Sequence, residues 1–251
     1  MNIFVLRNGF VGILKRAVVP LFLVLMVCAV SVYFYAIEEK NTMVMGKADN
    51  QKTVIIDAGH GGFDGGAVAP DGTIEKDINL NISLTLAKFL KQSGFRVIMT
   101  RESDVSTEDT ESPQIASKKR NDLKNRLKLM GDYPDSVFVS IHLNKFTTSS
   151  AFGSQVFYSK GEESALLADF IQKSIINLIQ PENTRVNKQA TSSTYLLYNA
   201  TVPAVLVECG FLSNAKELEL LKQPDYQKKM AFSVYIGILE YFEEKENGSK
   251  F

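Results

Sequence analysis

A β-branched run, Thr53-Val54-Ile55-Ile56, leads straight into Asp57-Ala58-Gly59-His60-Gly61-Gly62-Phe63-Asp64-Gly65-Gly66. Val and Ile favour a pleated, buried surface, so the first part reads as a strand. The glycines allow positive φ and close backbone approach, so the chain can wrap tightly around something small. A Pro70-Asp71-Gly72 turn then brings the chain to Glu75-Lys76-Asp77. An imidazole followed at short range by a carboxylate is the beginning of a metal site. Whatever fold forms must carry further ligands to this loop.

The segments that follow indicate how. Ile78, Ile82, Leu86, Phe89 and Leu90 recur at helical spacing, with Leu80, Leu84 and Ala87 widening the face, which predicts a helix over 75–93. Gly94 fits the position just past its end. Residues 95–100 read as a second strand, so strand, helix and strand form a βαβ unit with parallel strands. Residues 101–113 are acidic and Ser/Thr-rich and read as a solvated loop. Residues 114–130 read as a basic helix with Leu123, Leu127 and Met130 inward, its lysines and arginines forming a solvated face.

A third strand over 136–141 ends at His142-Leu143-Asn144. A strand over 153–159 and a helix over 162–179 come next, the helix stopped by Pro181. The polar stretch 182–193 reads as a loop bordering the cleft. Short strands are expected over 194–198 and 204–207, the second ending in Glu208-Cys209-Gly210-Phe211, and helices over 214–221 and 225–244. The order predicts an α/β fold: a single domain over 52–245, with a mostly parallel twisted sheet flanked by helices on both faces. A short tail, 246–251, follows.

Before the domain, residues 17–37 form an apolar run with no charge, preceded by Arg7, Lys15 and Arg16 and followed by Glu38, Glu39 and Lys40. About 20 apolar residues suffice to span a bilayer as a helix, and the charge asymmetry puts 1–16 in the cytoplasm. The expectation is a membrane-spanning helix over 17–37, an anchor or uncleaved signal, then a polar linker over 38–51. The rest works extracytoplasmically, anchored to the membrane, or secreted if the signal is cleaved. The chain carries 28 basic and 28 acidic residues, so no global field argues for nucleic acid. Its two cysteines, Cys28 and Cys209, lie in different settings and do not suggest a disulfide framework.

His60 and His142 are the chain's two histidines, and with Glu208 each follows a run of strand-type residues. In open parallel sheets the ligand crevice lies outside the carboxyl ends of the strands, so all three should reach one rim, where Glu75 can join them. Two imidazoles and a carboxylate, with one position left for water, is the composition of a catalytic zinc site. A second carboxylate off the metal can act as general base. Each residue also has a plainer reading. Glu75 is a helix-start acid favoured by the dipole, Glu208 a buried partner of an arginine such as Arg126, and Cys209 a small buried hydrophobe. Asp57 and Asp64 are either partners of the histidines or turn residues. No Gly-Lys-Ser/Thr and no GxGxxG accompanies the loop, which discounts phosphate binding.

At these residues the sequence resembles a known family. Val54 to Gly62, Glu75-Lys76-Asp77, Ser140-Ile141-His142-Leu143-Asn144 and Glu208-Cys209-Gly210-Phe211-Leu212-Ser213-Asn214 resemble the zinc-dependent N-acetylmuramoyl-L-alanine amidases of type 3. Within that family the chain is most similar to the membrane-anchored amidases of spore cortex formation. The resemblance implies His60, Glu75 and His142 as ligands of one catalytic Zn2+, and Glu208 as the catalytic acid/base. It implies hydrolysis of the amide between N-acetylmuramic acid and L-alanine in peptidoglycan. The substrate would be glycan strands with stem peptides, cleaved for muramic-δ-lactam formation in sporulation and germination. It further implies coupling to a muramic acid deacetylase and leaves room for an activating lipoprotein. A vegetative cell-wall amidase, a zinc peptidase and a non-catalytic wall-binding module are the alternatives. Ala58 stands where the family usually has proline, a departure that touches no ligand, and Cys209 where valine is common, both small and apolar.

Overall fold

The β-branched run is buried at every position in the computed structural model, which describes residues 26, 28–33, 51–109, 111 and 113–248. It forms β1 (Thr53–Ala58), an inner strand covered on both faces. Helix α1 (Glu75–Gln92) connects it to β2 (Arg96–Met99), which pairs parallel with β1 on one side. Helix α2 (Ile115–Asp132) leads to β3 (Ser136–Asn144), which pairs parallel with β1 on the other side. The chain continues through β4 (Gln155–Tyr158), α3 (Glu162–Ile179), β5 (Lys188–Gln189), α4 (Tyr195–Tyr198), β6 (Ala204–Phe211), α5 (Ala215–Leu221) and α6 (Pro224–Gly248). The sheet order is β2-β1-β3-β6-β4-β5.

One pairing departs from parallel: β4 runs antiparallel to β6. The cause is the connection from β3. A parallel return needs a crossover of about a dozen residues or more, usually a helix, and 145–154 contain none. The chain therefore enters β4 at the rim where β3 ends, and Gln155 lies opposite Glu208.

Alternation along the strands divides the core in two. Val54, Ile56, Val139, Ile141, Val205 and Val207 pack on one face against α1, α3 and α6. Ile55, Phe138 and Ala204 pack on the other against Met130 of α2 and Leu196 and Leu197 of α4. Helices thus flank both faces. Residues 194–198, expected as a strand, form the helical turn α4 instead. A short apolar run such as Tyr-Leu-Leu-Tyr has no period long enough to separate the two, and its leucines reach the core either way. Asn214 is the N-cap of α5, accepting from the backbone N–H groups of Lys216 and Glu217.

The expected membrane-spanning helix over 17–37 is corrected. Among the described residues no helix is long and apolar enough to cross a membrane. Met26 and residues 28–33 are helical and exposed. The rest of 17–37, with 1–16 and 38–50, lies outside the described residues. Membrane anchoring as a mode of localisation, and the membrane as a partner, rested on that helix and fall with it. By internal contacts the chain divides into Met1–Gln51 and Lys52–Phe251.

Beneath the end of β1 lies a buried ionic cluster. Arg126 of α2 is 2 % exposed. It donates from Nε to Asp122 Oδ2 at 2.7 Å and from Nη1 to Asp57 Oδ1 at 2.5 Å. Burial raises the Asp57 carboxyl, but the Arg126 charge, the nearby His142 and hydrogen bonds from Ser140 and Arg126 together outweigh it and hold the group below its usual range. The partner of Arg126 is therefore not Glu208, as the sequence allowed. Removing one member of such a cluster strands the others as uncompensated buried charges. Arg126→Met is expected to lower unfolding stability by about 3–5 kcal/mol, read as a shifted urea midpoint; an unchanged midpoint would show that the cluster does not hold α2 to the sheet.

Candidate metal centre

Three side chains from three elements meet at the carboxyl rim of the sheet. His60 lies two residues beyond β1, Glu75 is the first residue of α1, and His142 stands near the end of β3. Each offers a ligand atom, and these atoms lie within 4.8 Å of one another. Glu75 Oε1 is 3.0 Å from His142 Nδ1 and 3.3 Å from His60 Nε2. The imidazole rings meet edge to face with centroids 4.9 Å apart.

The glycines are required by space. A Cβ on Gly66 would come within 2.6 Å of both Glu75 Oε2 and the His60 ring, and one on Gly59 within 2.4 Å of the His142 ring. His60 itself adopts φ 62°, the single positive φ outside glycine among the described residues. Such a conformation stores of order 1–3 kcal/mol and persists where surrounding contacts over-determine it. Those contacts are two arginines. Arg126 Nη2 donates to the His60 carbonyl at 2.7 Å and Nη1 to that of Ala58 at 3.0 Å. Arg101, 3 % exposed, donates from Nε to the Ala58 carbonyl at 2.9 Å and from Nη2 to that of Gly59 at 3.0 Å.

Arg101 was not legible as part of the site. It begins the stretch 101–113, expected as a solvated loop, whose first half instead packs on the glycine loop. Asp104 accepts from Gly62 N at 2.9 Å and from Lys76 Nζ at 2.6 Å. Its one sequence signal is position: Arg101 follows β2, beside β1, at the same rim as the histidines.

Electrostatics complete the arrangement. Burial pushes the Glu75 carboxyl up, but hydrogen bonds from His142 and His60 outweigh it and keep the group ionised well below the carboxylate range. Backbone N–H groups of Ala67 and Leu143 donate to its two oxygens, at 2.8 and 3.0 Å. Burial lowers His60, while hydrogen bonds to Asp64 and Glu75 raise it further, to about 9. Asp64 Oδ2 accepts from His60 Nδ1 at 2.9 Å, so this aspartate does orient a histidine. Asp57 bonds to Arg126, Ser140 and Thr100 instead.

Glu208 lies within β6, in register with His142 of β3; both strands run past the residues expected to follow them. Its Oε2 is buried with no hydrogen-bond partner among the described residues. Burial pushes its carboxyl up to about 7, opposed by His142 and assisted by Glu75. Cys209 is fully buried in the core and its thiol is pushed well above its ordinary value by burial, which removes it as a nucleophile. Two imidazoles and a carboxylate form a donor set suited to zinc, and the orphaned Glu208 oxygen beside them is what such a site needs for a base. The residues fit the ion.

Comparison with known proteins agrees. A family model described as N-acetylmuramoyl-L-alanine amidase matches residues 54–240. The chain belongs to the N-acetylmuramoyl-L-alanine amidase family. It is 40% identical over 195 residues to the germination-specific N-acetylmuramoyl-L-alanine amidase of Bacillus subtilis (strain 168), covering 77% of this chain and 81% of that protein. The structure of the CwlD amidase from Clostridioides difficile, in complex with the GerS lipoprotein, matches at 43% identity and TM-score 0.75, covering 77% of this chain and 99% of that one. The AmiC2 amidase of Nostoc punctiforme matches at 29% identity and TM-score 0.66, over 76% and 97% of the two chains. The His/His/Glu cluster is consistent with the catalytic zinc of these amidases.

A proton on His60 competes with a metal for this cluster. With the imidazole held at about 9, zinc binding at pH 7 is expected to release about one proton, and zinc affinity to rise with pH up to about 9. Calorimetric titration in buffers of different protonation enthalpy reads this directly; no proton release at pH 7 would contradict the His60 assignment.

Proposed function

We propose that His60, Glu75 and His142 hold one zinc ion and that Glu208 is the catalytic acid/base of a peptidoglycan amidase, with 52–245 as its catalytic unit. The enzyme hydrolyses the amide joining N-acetylmuramic acid to the L-alanine of the stem peptide. The observation that carries the residue roles is the pairing of a compact His/His/Glu donor cluster with one adjacent, orphaned carboxylate oxygen.

When bound, zinc supplies Lewis acidity at this rim, making water acidic near neutral pH and polarising the amide carbonyl. The protein's own groups do the rest. Glu75 and Asp64 orient the two imidazoles, and Arg101 and Arg126 hold the backbone on which His60 stands. Glu208, with its carboxyl at about 7, is matched to proton exchange near neutral pH. Its carboxylate takes the proton of the attacking water. The resulting carboxylic acid returns that proton to the nitrogen of the departing L-alanine as the C–N bond breaks.

Likeness to the germination-specific relative supports a role in spore cortex, where stem-peptide removal precedes muramic-δ-lactam formation. Likeness to the CwlD amidase in complex with GerS supports a lipoprotein partner for this chain. Peptidoglycan as substrate supports a site of action outside the cytoplasm.

Glu208→Gln is expected to retain stoichiometric zinc while turnover of purified peptidoglycan falls by about 10²–10⁴-fold; zinc-loaded variant with full activity would refute the role. Mass spectrometry of the wild-type products should find peptide-free muramoyl glycan and intact stem peptide. Shortened peptide still attached to sugar would make the enzyme a peptidase.

A further inference from the structure

Beyond the metal cluster, the same rim carries an arginine, Arg185, held in place by neutral partners. Gln155 lies directly opposite Glu208 in the antiparallel β4–β6 pair, so the two side chains stand on one face of the sheet. Gln155 is 6 % exposed, and its Oε1 accepts from Arg185 Nη1 at 3.3 Å. Arg185 also donates from Nε to the Phe152 carbonyl at 2.7 Å, and its guanidinium carbon sits 4.7 Å from the centroid of the Phe211 ring. Its own backbone N–H donates to Oδ1 of Asn183, which is 4 % exposed and tied to the Ser154 carbonyl. A cavity of about 240 Å³ opens here, lined by Arg185, Asn183, Thr184 and 150–152.

No carboxylate among the described residues forms an ion pair with this guanidinium. The nearby Glu217 feels the Arg185 charge, but its oxygens accept from the backbone N–H groups of Gly153 and Phe211, at 2.9 and 2.8 Å, not from the guanidinium. A guanidinium has five N–H donors in a planar fork that matches a carboxylate. Here two of those donors serve to fix the plane, and the remaining ones are left for a ligand. An arginine so constrained, half-buried and with no carboxylate in ion-pair contact among the described residues, is pre-organised for an anion.

We propose that Arg185 forms a carboxylate-binding subsite beside the metal centre and takes an acidic group of the stem peptide. This rests on the amidase reading, which places the scissile amide at Glu208. Stem peptides carry free carboxylates beyond the alanine, and Arg185 bonds to Gln155, which lies one strand away from Glu208. It makes the enzyme sensitive to whether those carboxylates are free or amidated.

The test uses the zinc-loaded protein and two free stem-type peptides beginning with L-alanine, identical except that one has its side-chain and α-carboxylates converted to amides. Calorimetry should find the acidic peptide bound about tenfold tighter by the wild type. Arg185→Gln should erase that preference while zinc content and melting temperature stay unchanged. Equal binding of both peptides by the wild type, or an undiminished preference in the variant, would overturn the proposal. Should Arg185→Gln fail to fold, Arg185→Lys keeps the charge and loses the fork, so its preference must shrink; full retention overturns the proposal equally. Turnover of peptidoglycan by the wild type is measured alongside. Peptide discrimination without turnover would reject the amidase reading and leave the subsite standing.

Discussion

A carboxylate 3 % exposed, lodged between two imidazole rings, is the constraint around which this molecule is arranged. Burying an ionised carboxylate costs several kcal/mol unless charge and hydrogen bonds compensate it. Glu75 receives charge from His60, whose imidazole is raised to about 9, and hydrogen bonds from several groups. Both imidazoles lie within hydrogen-bond reach or close contact of it, and Ala67, Leu143 and Asn79 supply N–H donors to its two oxygens. Satisfying them demands that three segments far apart in the chain converge within a few ångströms. That is why the glycine loop, the first turn of α1 and the end of β3 have the forms they have.

Convergence is enforced from below. Asp57 points from β1 toward α2, opposite in alternation to Ile56, and meets Arg126 there. Arg126 and Arg101 then use their remaining donors on successive backbone carbonyls of the glycine loop. A left-handed His60 would relax if those carbonyls were free; held by two guanidinium groups it cannot. The buried charges therefore link sheet packing to the position of an imidazole, and so link the fold to its chemistry.

Much of this was legible in the sequence where a residue type has few other uses. Histidines at strand ends, a glycine-rich loop and a helix-start glutamate are the letters that point to a metal site. The long helices and inner strands were equally plain, because their apolar periods run for several turns or fill whole strands. What stayed hidden depends on pairings rather than on patterns. Nothing in the letters 101–107 distinguishes a solvated loop from one packed on Gly61. Arg126 has the same composition-level meaning whether it faces Asp57 or Glu208, and only strand alternation and the placement of α2 choose between them. The antiparallel β4 follows from the lack of a helix in 145–154, and it is what sets Gln155, and through it Arg185, beside Glu208. The apolar run at 17–37 satisfies the length and charge criteria for a span, yet no helix among the described residues is long and apolar enough to cross a membrane.

Diffraction at the zinc absorption edge from zinc-loaded crystals tests the central claim most directly. The account predicts one strong anomalous peak about 2.0–2.2 Å from one nitrogen of His60, one nitrogen of His142 and a carboxylate oxygen of Glu75, with Glu208 beside it and unbound. A peak that takes Glu208 in place of Glu75, or that lies away from these residues, would contradict it.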